Sequence, residues 1–302
     1  MKIQDNLKNK FGERVRFNEK LSKFSWFNLG GPAEIFYKAE DASQLSEFLR
    51  FLNKQKKNVN ILGAGSNTLI RDGGVEGAII KLSSNFSYVR LNENNIIEVG
   101  AATLDKKLSD FAKENSLTGF EFLSCIPGSI GGGIIMNSGC YGEEMSQIIH
   151  SISAMDFNGN IQHIKSNEIK FFYRGCDLKK NLIILSAQFK GKLADKKIIE
   201  EKQANLIKRK KDSQPNQIKT CGSTFKNSKN KKAWELIKES NCEKISVGNA
   251  KISEKHCNFF INEEGKANSH DIEKLIAKVQ KEVFNKTNIS LELEIKVIGK
   301  DR

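Results

Sequence analysis

The chain has 302 residues, 38% hydrophobic and 28% charged, and its 49 Lys and Arg exceed 36 Asp and Glu for a net charge of +13. That length and balance suit one large or two to three small globular units with true cores, and 23 Gly with only 3 Pro exclude fibrous and disordered classes. No apolar run approaches a membrane span, and the opening MKIQDNLKNKFGERVRF lacks the apolar stretch of a secretory signal, so a cytoplasmic protein without membrane contact is expected.

In chain order, AEIFYKAE (33–40) alternates as a strand, and DASQLSEFLRFLNKQ predicts a helix with Asp41 as its N-cap. VNILGAGSN is a buried strand entering a turn, followed by the strand GAIIKL. IIEVGAAT is another strand, and LDKKLSDFAKENS places Leu104, Leu108 and Phe111 on one helical face. SISAMDFNGNIQHIK reads as a hairpin about Asn158-Gly159, and NLIILSAQFKGK as a strand. A long polar helix, DKKIIEEKQANLIKRKK, leads through SQPNQIKTCGSTFKN into a second unit. There AWELIKES and SHDIEKLIAKVQKEVFNKT predict helices, and NFFIN and ISLELEIKVIG predict strands. The fold class is therefore α+β, with helices and strands mixed in each part.

Charge and cysteine usage narrow the chemistry. The basic residues are mostly Lys, dispersed among Glu and Asn, with one dense run at Lys208-Arg209-Lys210-Lys211. A solvated helix end and a binding role account for that run equally well. A basic protein attracts small phosphorylated substrates, while a nucleic-acid surface needs a concentrated basic stripe with interleaved aromatics, so no nucleic-acid partner is expected. The six Cys, at 125, 140, 176, 221, 242 and 257, form no CxxC pair. No metal is expected, and free thiols in a reducing compartment are.

Two glycine-rich loops carry the strongest signal. Gly63-Ala64-Gly65-Ser66-Asn67-Thr68 starts like a dinucleotide fingerprint, but Thr68 replaces the third glycine, and TLIRDGGVEG turns again where a helix should open. No GK[ST] follows, so it is not a P-loop. Successive backbone N–H groups in such a turn still form an anion nest, and Pro127-Gly128-Ser129-Ile130-Gly131-Gly132-Gly133 forms a second. Two nests suit a ligand with two phosphates; either loop alone reads equally well as a tight turn.

The ordered segments SWFNLGGPAE, LGAGSNTLIRDGG, GFEFLSCIPGSIGGGIIMNSGCYG, YRGC, CGSTFKN, SEKHCNFFIN and LELEIKVIG resemble those of the UDP-N-acetylenolpyruvoylglucosamine reductase family, from about residue 20 to 299. The resemblance implies a two-part FAD-binding domain of the vanillyl-alcohol-oxidase (PCMH) type, residues 1–82 and 83–205, and a C-terminal α+β substrate-binding domain, 206–302, whose last strand returns to the active site. It implies noncovalent FAD, NADPH as co-substrate, UDP-N-acetylenolpyruvoylglucosamine as substrate, a role in peptidoglycan precursor synthesis, and a monomer. FAD is expected on Leu62, Gly63, Ala64, Gly65, Ser66, Asn67, Thr68 and Leu69, and on Pro127, Gly128, Ser129, Gly131, Gly132, Asn137 and Gly139.

Reduction of an enolpyruvyl double bond asks for a cation to stabilise negative charge and for a proton donor. By resemblance the cation is Arg174 and the donor Ser223, although by spacing alone Arg174 reads as a surface residue or core-edge ion pair and Ser223 as an N-cap or turn hydroxyl. The catalytic glutamate falls at Glu294, while alternation alone puts both Glu292 and Glu294 on a solvent face. Tyr173, Lys211, Lys226 and Asn227 are expected to contact substrate. Few residues separate Tyr173-Arg174 from NLIILSAQF, so the chain resembles the shorter subtype without a tyrosine-bearing lid.

Overall fold

The computed structural model describes residues 3–301. The chain divides into two units, neither continuous in sequence. The first takes Met1–Phe17, Ile35–Ala64 and Gly77–Lys210; the second takes Asn18–Glu34, Gly65–Glu76 and Lys211–Arg302.

In the first unit a five-stranded antiparallel sheet runs in the order Ile161–Lys165, Ile149–Asp156, Leu182–Lys190, Ile96–Gly100, Val89–Leu91. The helices Asp105–Glu114 and Ile130–Ile135 and the 3-10 turn Glu121–Cys125 contribute to one core with it, centred on Ile97, Leu108, Phe122, Ile130 and Phe189. The second core of this unit gathers Phe11, Tyr37, Phe48 and Ile80. Tyr37 stacks on Phe48 with ring centroids 3.9 Å apart, and Phe11 meets both edge-on. Such aromatic pairs add about 0.5–1.5 kcal/mol beyond the area they bury. The strands Val59–Ile61 and Val75–Leu82 pair in parallel, with Asn60 opposite Ile79.

The helix Ala42–Lys54 shows how local sequence produces this packing. Asp41 Oδ1 accepts from Gln44 N at 2.8 Å, as the N-cap reading requires. Leu45, Phe48, Leu49 and Leu52, spaced for one helical face, are all buried. One expectation is corrected. Leu104 is not on the buried face of the next helix: it is the N-cap residue and 56% exposed, while Leu108 is buried. The hairpin about Asn158-Gly159 is present: Met155 pairs with Ile161, and Asp156 Oδ1 accepts from the N–H groups of Asn158 and Asn160 and closes the connection between them.

The second unit holds an antiparallel sheet of Ser246–Val247, Ala250–Ser253 and His256–Asn262 with the helices Ala233–Glu239 and Ser269–Thr287. The longer helix starts in a reciprocal cap, Asn268 accepting from Asp271 N while Asp271 accepts from Asn268 N. It buries Ile272, Leu275, Ile276, Val279 and Val283, and stops at Asn288 in the left-handed region, φ 54. The last predicted strand is shorter than expected: only Lys296–Ile298 is regular, and it pairs in parallel with Thr68–Ile70.

Asp41→Ala should lower stability by about 1 kcal/mol, the usual cost of a lost N-cap, and Asp41→Asn far less. Thermal melting of the two variants beside the parent checks the pair.

Candidate active site

In the first unit the second glycine loop leads into the short helix Ile130–Ile135. Ile130 N donates to Thr103 O and Gly131 N to Ala101 O, which fastens the loop to the strand end beside it. The N–H groups of Gly128, Ser129 and Gly132 find no acceptor among the described residues. Leu62 follows the strand Val59–Ile61, its N–H bonded to Ile80 O, and the N–H groups of Gly63 and Ala64 also lack an acceptor among the described residues. A Cβ on Gly63 would lie 2.8 Å from Ser129 Oγ, so the two loops meet closely here. Orphan donors beside close backbone are what an anionic diphosphate needs, so the residues fit FAD. Lys81 Nζ donates to Gly63 O at 2.5 Å, and burial lowers its pKa.

Asn137 is fully buried and engaged by protein at both ends of its amide. Its Nδ2 donates to Phe172 O, and its Oδ1 accepts from Ser146 N. Both bonds brace the loop. The strands Phe171–Phe172 and Gly175–Cys176 form a hairpin whose two-residue turn is Tyr173-Arg174. Arg174 adopts φ 58, a left-handed conformation that costs a side-chain-bearing residue about 1–2 kcal/mol. A turn with positive φ at its second central residue normally takes Gly or Asn. Arginine is retained there with Nη2 donating to Gly139 O at 3.0 Å and the guanidinium 4.9 Å over the Tyr173 ring. Strain of this kind persists where surrounding contacts over-determine it, and it concentrates at functional sites.

Beneath the loop lies a residue that sequence reading passed over. Asp105, in the first turn of its helix, is fully buried, and neither carboxylate oxygen has a hydrogen-bond partner among the described residues. A Cβ on Gly128 would lie 2.5 Å from its Oδ2. Burial pushes its pKa up to about 8. The helix dipole favours an anion at this position, but desolvation outweighs it.

In the second unit the backbone brings two expected catalytic residues together. Ser223 forms an antiparallel bridge with Phe259, and Phe225 another with Leu293. Glu294 N donates to Thr224 O, and Lys226 N to Glu292 O, both at 2.8 Å. Asn258 locks this crossing, accepting from Phe225 N at Oδ1 and donating to Phe225 O from Nδ2. Glu294 thus lies across the pairing from the residue after Ser223. It is half-buried while Glu292 is exposed, so the two carboxylates that look alike in the sequence differ in the fold. Asn67 joins them, its Nδ2 donating to Glu294 O and its carbonyl accepting from Lys296 N. Thr68 and Leu69 continue as the strand paired with Lys296 and Val297. Gly65 takes φ 73, and a Cβ there would strike Phe24 O at 1.9 Å, so only glycine fits.

The expected substrate contacts are less uniform. Lys226 Nζ lies 3.5 Å from Glu292. The Asn227 side-chain oxygen accepts from Ala233 N at the start of the helix Ala233–Glu239. Lys211 is exposed, and its carbonyl accepts from Lys255 Nζ. In the basic run, Arg209 lies 4.3 Å over the Tyr141 ring and Lys210 has its pKa lowered by burial, so the run is only in part a solvated helix end.

Comparison with known proteins agrees with this layout. A family model described as an FAD binding domain matches residues 33–165. With the mixed helices and strands of the fold, that match makes the chain an FAD-binding α+β protein. A second model, the C-terminal domain of UDP-N-acetylenolpyruvoylglucosamine reductase, matches residues 213–298. Enzymes of that name from Pelagibacter ubique and Rickettsia prowazekii are 46% and 44% identical over 293 and 280 residues, covering 96% and 93% of this chain and 96% and 94% of theirs. The crystal structure of the enzyme from Thermus caldophilus superposes with a TM-score of 0.82 at 29% identity, over 94% of this chain and 98% of that one. The chain belongs to the UDP-N-acetylenolpyruvoylglucosamine reductase family and is an oxidoreductase. Among the described residues, no helix is long and apolar enough to cross a membrane.

Because Asp105 holds its proton more tightly folded than unfolded, the native state binds the extra proton between the ordinary carboxylate range and about pH 8. Stability should therefore fall as pH rises across that window and level off above it. Asp105→Asn should match the parent near pH 3, below the ordinary carboxylate range, and exceed it by a growing margin from pH 5 to pH 9, as read by denaturant unfolding of the flavin-free protein across that range.

Proposed function

We propose that the protein reduces UDP-N-acetylenolpyruvoylglucosamine to UDP-N-acetylmuramate in peptidoglycan precursor synthesis, with NADPH as reductant and noncovalently held FAD. The family membership supports the substrate class. The observation that supports the assignment of catalytic residues is the crossing in the second unit, where Glu294 N donates to Thr224 O, so that the backbone of Glu294 lies one residue from that of Ser223.

The FAD-binding roles are assigned to Leu62–Ala64, Pro127–Ser129, Gly131, Gly132, Asn137 and Gly139 in the first unit, and to Gly65–Leu69 in the second. The orphan N–H groups of Gly63, Ala64, Gly128, Ser129 and Gly132 support a diphosphate partner. Bound FAD would carry hydride from NADPH to C3 of the enolpyruvyl group. Arg174 stabilises the negative charge that builds on the substrate's carboxylate side, an effect strongest where water is excluded. Its strained, doubly held position favours a fixed guanidinium over one that must reorganise.

Ser223 delivers the proton to C2. A serine hydroxyl is a weak acid, and the half-buried Glu294 on the neighbouring segment is proposed to return a proton to it as one leaves. Tyr173, Lys211, Lys226 and Asn227 are assigned to substrate, with Lys226 the best supported because its backbone N–H donates to Glu292 O in the same crossing. We divide the chain by role at 1–82 and 83–205 for FAD and 206–302 for substrate, and assign it to the subtype without the tyrosine lid. We further propose that it is cytoplasmic and acts as a monomer.

The purified protein should show flavin absorption that bleaches with NADPH, and denaturation should release the flavin from the polypeptide. Ser223→Ala should leave reduction by NADPH nearly unchanged and slow reoxidation by the enolpyruvyl substrate about 10²–10⁴-fold, the contribution of a positioned acid. Stopped-flow traces of the two half-reactions decide it; equal slowing of both would exclude Ser223 as the donor.

A further inference from the structure

A lysine outside the expected site holds one of the peptides whose N–H lacks an acceptor. Lys81 is the penultimate residue of the strand Val75–Leu82, which pairs in parallel with Val59–Ile61 and sets Ile80 opposite Ile61. Ala78, Ile79 and Ile80 before it are buried, and Lys81 itself is half-buried. The partner strand ends at Ile61, and Leu62 N still reaches Ile80 O. One step further on, a side chain takes over from the backbone, and Lys81 Nζ donates to Gly63 O at 2.5 Å. Among the described residues that ammonium has no other hydrogen-bond partner, and no carboxylate pairs with it. Burial without a counter-charge disfavours an ammonium, and the Lys81 pKa is lowered accordingly. An apolar side chain would fill the same space without that penalty, so packing does not account for Lys81.

The bond fixes a peptide plane. The Gly63–Ala64 peptide is trans, so its N–H points opposite to its C=O. With the carbonyl tied to Lys81, the Ala64 N–H points away from the lysine, to a side where no described residue accepts it. Gly63 does little by itself to hold this plane, because glycine tolerates most φ and ψ values. Were the plane to turn over, a carbonyl oxygen would meet an incoming anion in place of a donor. The ammonium also polarises the amide it holds, which strengthens the N–H on the far side. Asp105, pressed against Gly128 of the second loop, is driven toward its neutral form and adds little opposing charge.

We propose that Lys81 is a positioning residue for the FAD diphosphate, locking the Gly63–Ala64 peptide with its N–H presented to the phosphates; this role rests on the FAD reading above. Lys81 destabilises the flavin-free protein and is compensated when the anion arrives. Its removal should therefore move cofactor affinity and flavin-free stability apart.

The test compares Lys81→Met, which keeps an unbranched apolar stem without charge or donor, with Lys81→Arg, which keeps both. Each full-length protein is dialysed to equilibrium against FAD, and free FAD is read by its fluorescence. Lys81→Met should hold FAD about 10–100-fold more weakly than the parent, the worth of a hydrogen bond involving a charged group. Lys81→Arg should stay close to the parent. Thermal melting of the flavin-free proteins should place Lys81→Met level with the parent or above it, whereas loss of a merely structural lysine would lower both readouts. Unchanged FAD affinity in Lys81→Met, a lower flavin-free melting temperature alongside its weaker binding, or a Lys81→Arg protein as weak as Lys81→Met would overturn the proposal. A parent that binds no FAD would overturn the cofactor reading itself, and the proposal with it.

Discussion

Much of the candidate chemistry depends on one backbone crossing. Residues 224–226 lie between Asn258 and the segment 292–294, and each side contributes hydrogen bonds that the other cannot make alone. Asn258 is central because it is buried and its amide satisfies both the N–H and the C=O of Phe225, leaving no polar group of that residue stranded. These bonds fix the backbone on the stretch that follows Ser223. The same pairing lifts Glu294 out of the solvent face that Glu292 occupies.

The first unit uses strain where the second uses saturation. Arg174 sits in a left-handed turn that favours glycine, and it stays there because Gly139 and Tyr173 hold its guanidinium. The neighbouring loop is nearly without side chains for two separate reasons. A Cβ at Gly63 or Gly128 would press on the side chains of Ser129 and Asp105, while the N–H groups of Gly128, Ser129 and Gly132 have no acceptor among the described residues. Glycine richness is thus partly a packing requirement of the protein and partly a feature that suits a phosphate-bearing ligand.

Ionisable groups around that loop are displaced in opposite directions by burial and by charge. Asp105 has no hydrogen-bond partner among the described residues and is driven toward its neutral form. Glu121, also buried, accepts from Thr118 Oγ1 and Gly119 N and has Lys202 at 3.3 Å, and its pKa is lowered. Desolvation acts on both sites; the presence of hydrogen-bond donors and positive charge separates their fates.

Elements whose signal is local were readable from the residues in order. Asp41 and its helix, the long helix beginning after Asn268, the two glycine loops and the family segments around Arg174, Ser223 and Glu294 all carry patterns within a few positions of one another. Reading failed where the outcome depends on what packs from elsewhere in the chain. Leu104 has the spacing of a core residue but falls at a helix start, outside the face that is covered. Asp105 looks like an ordinary first-turn acid until the glycine loop closes over it. Periodicity and capping describe one element against water, whereas burial, strain and pKa are properties of the contact between elements, and those exist only after the chain has folded.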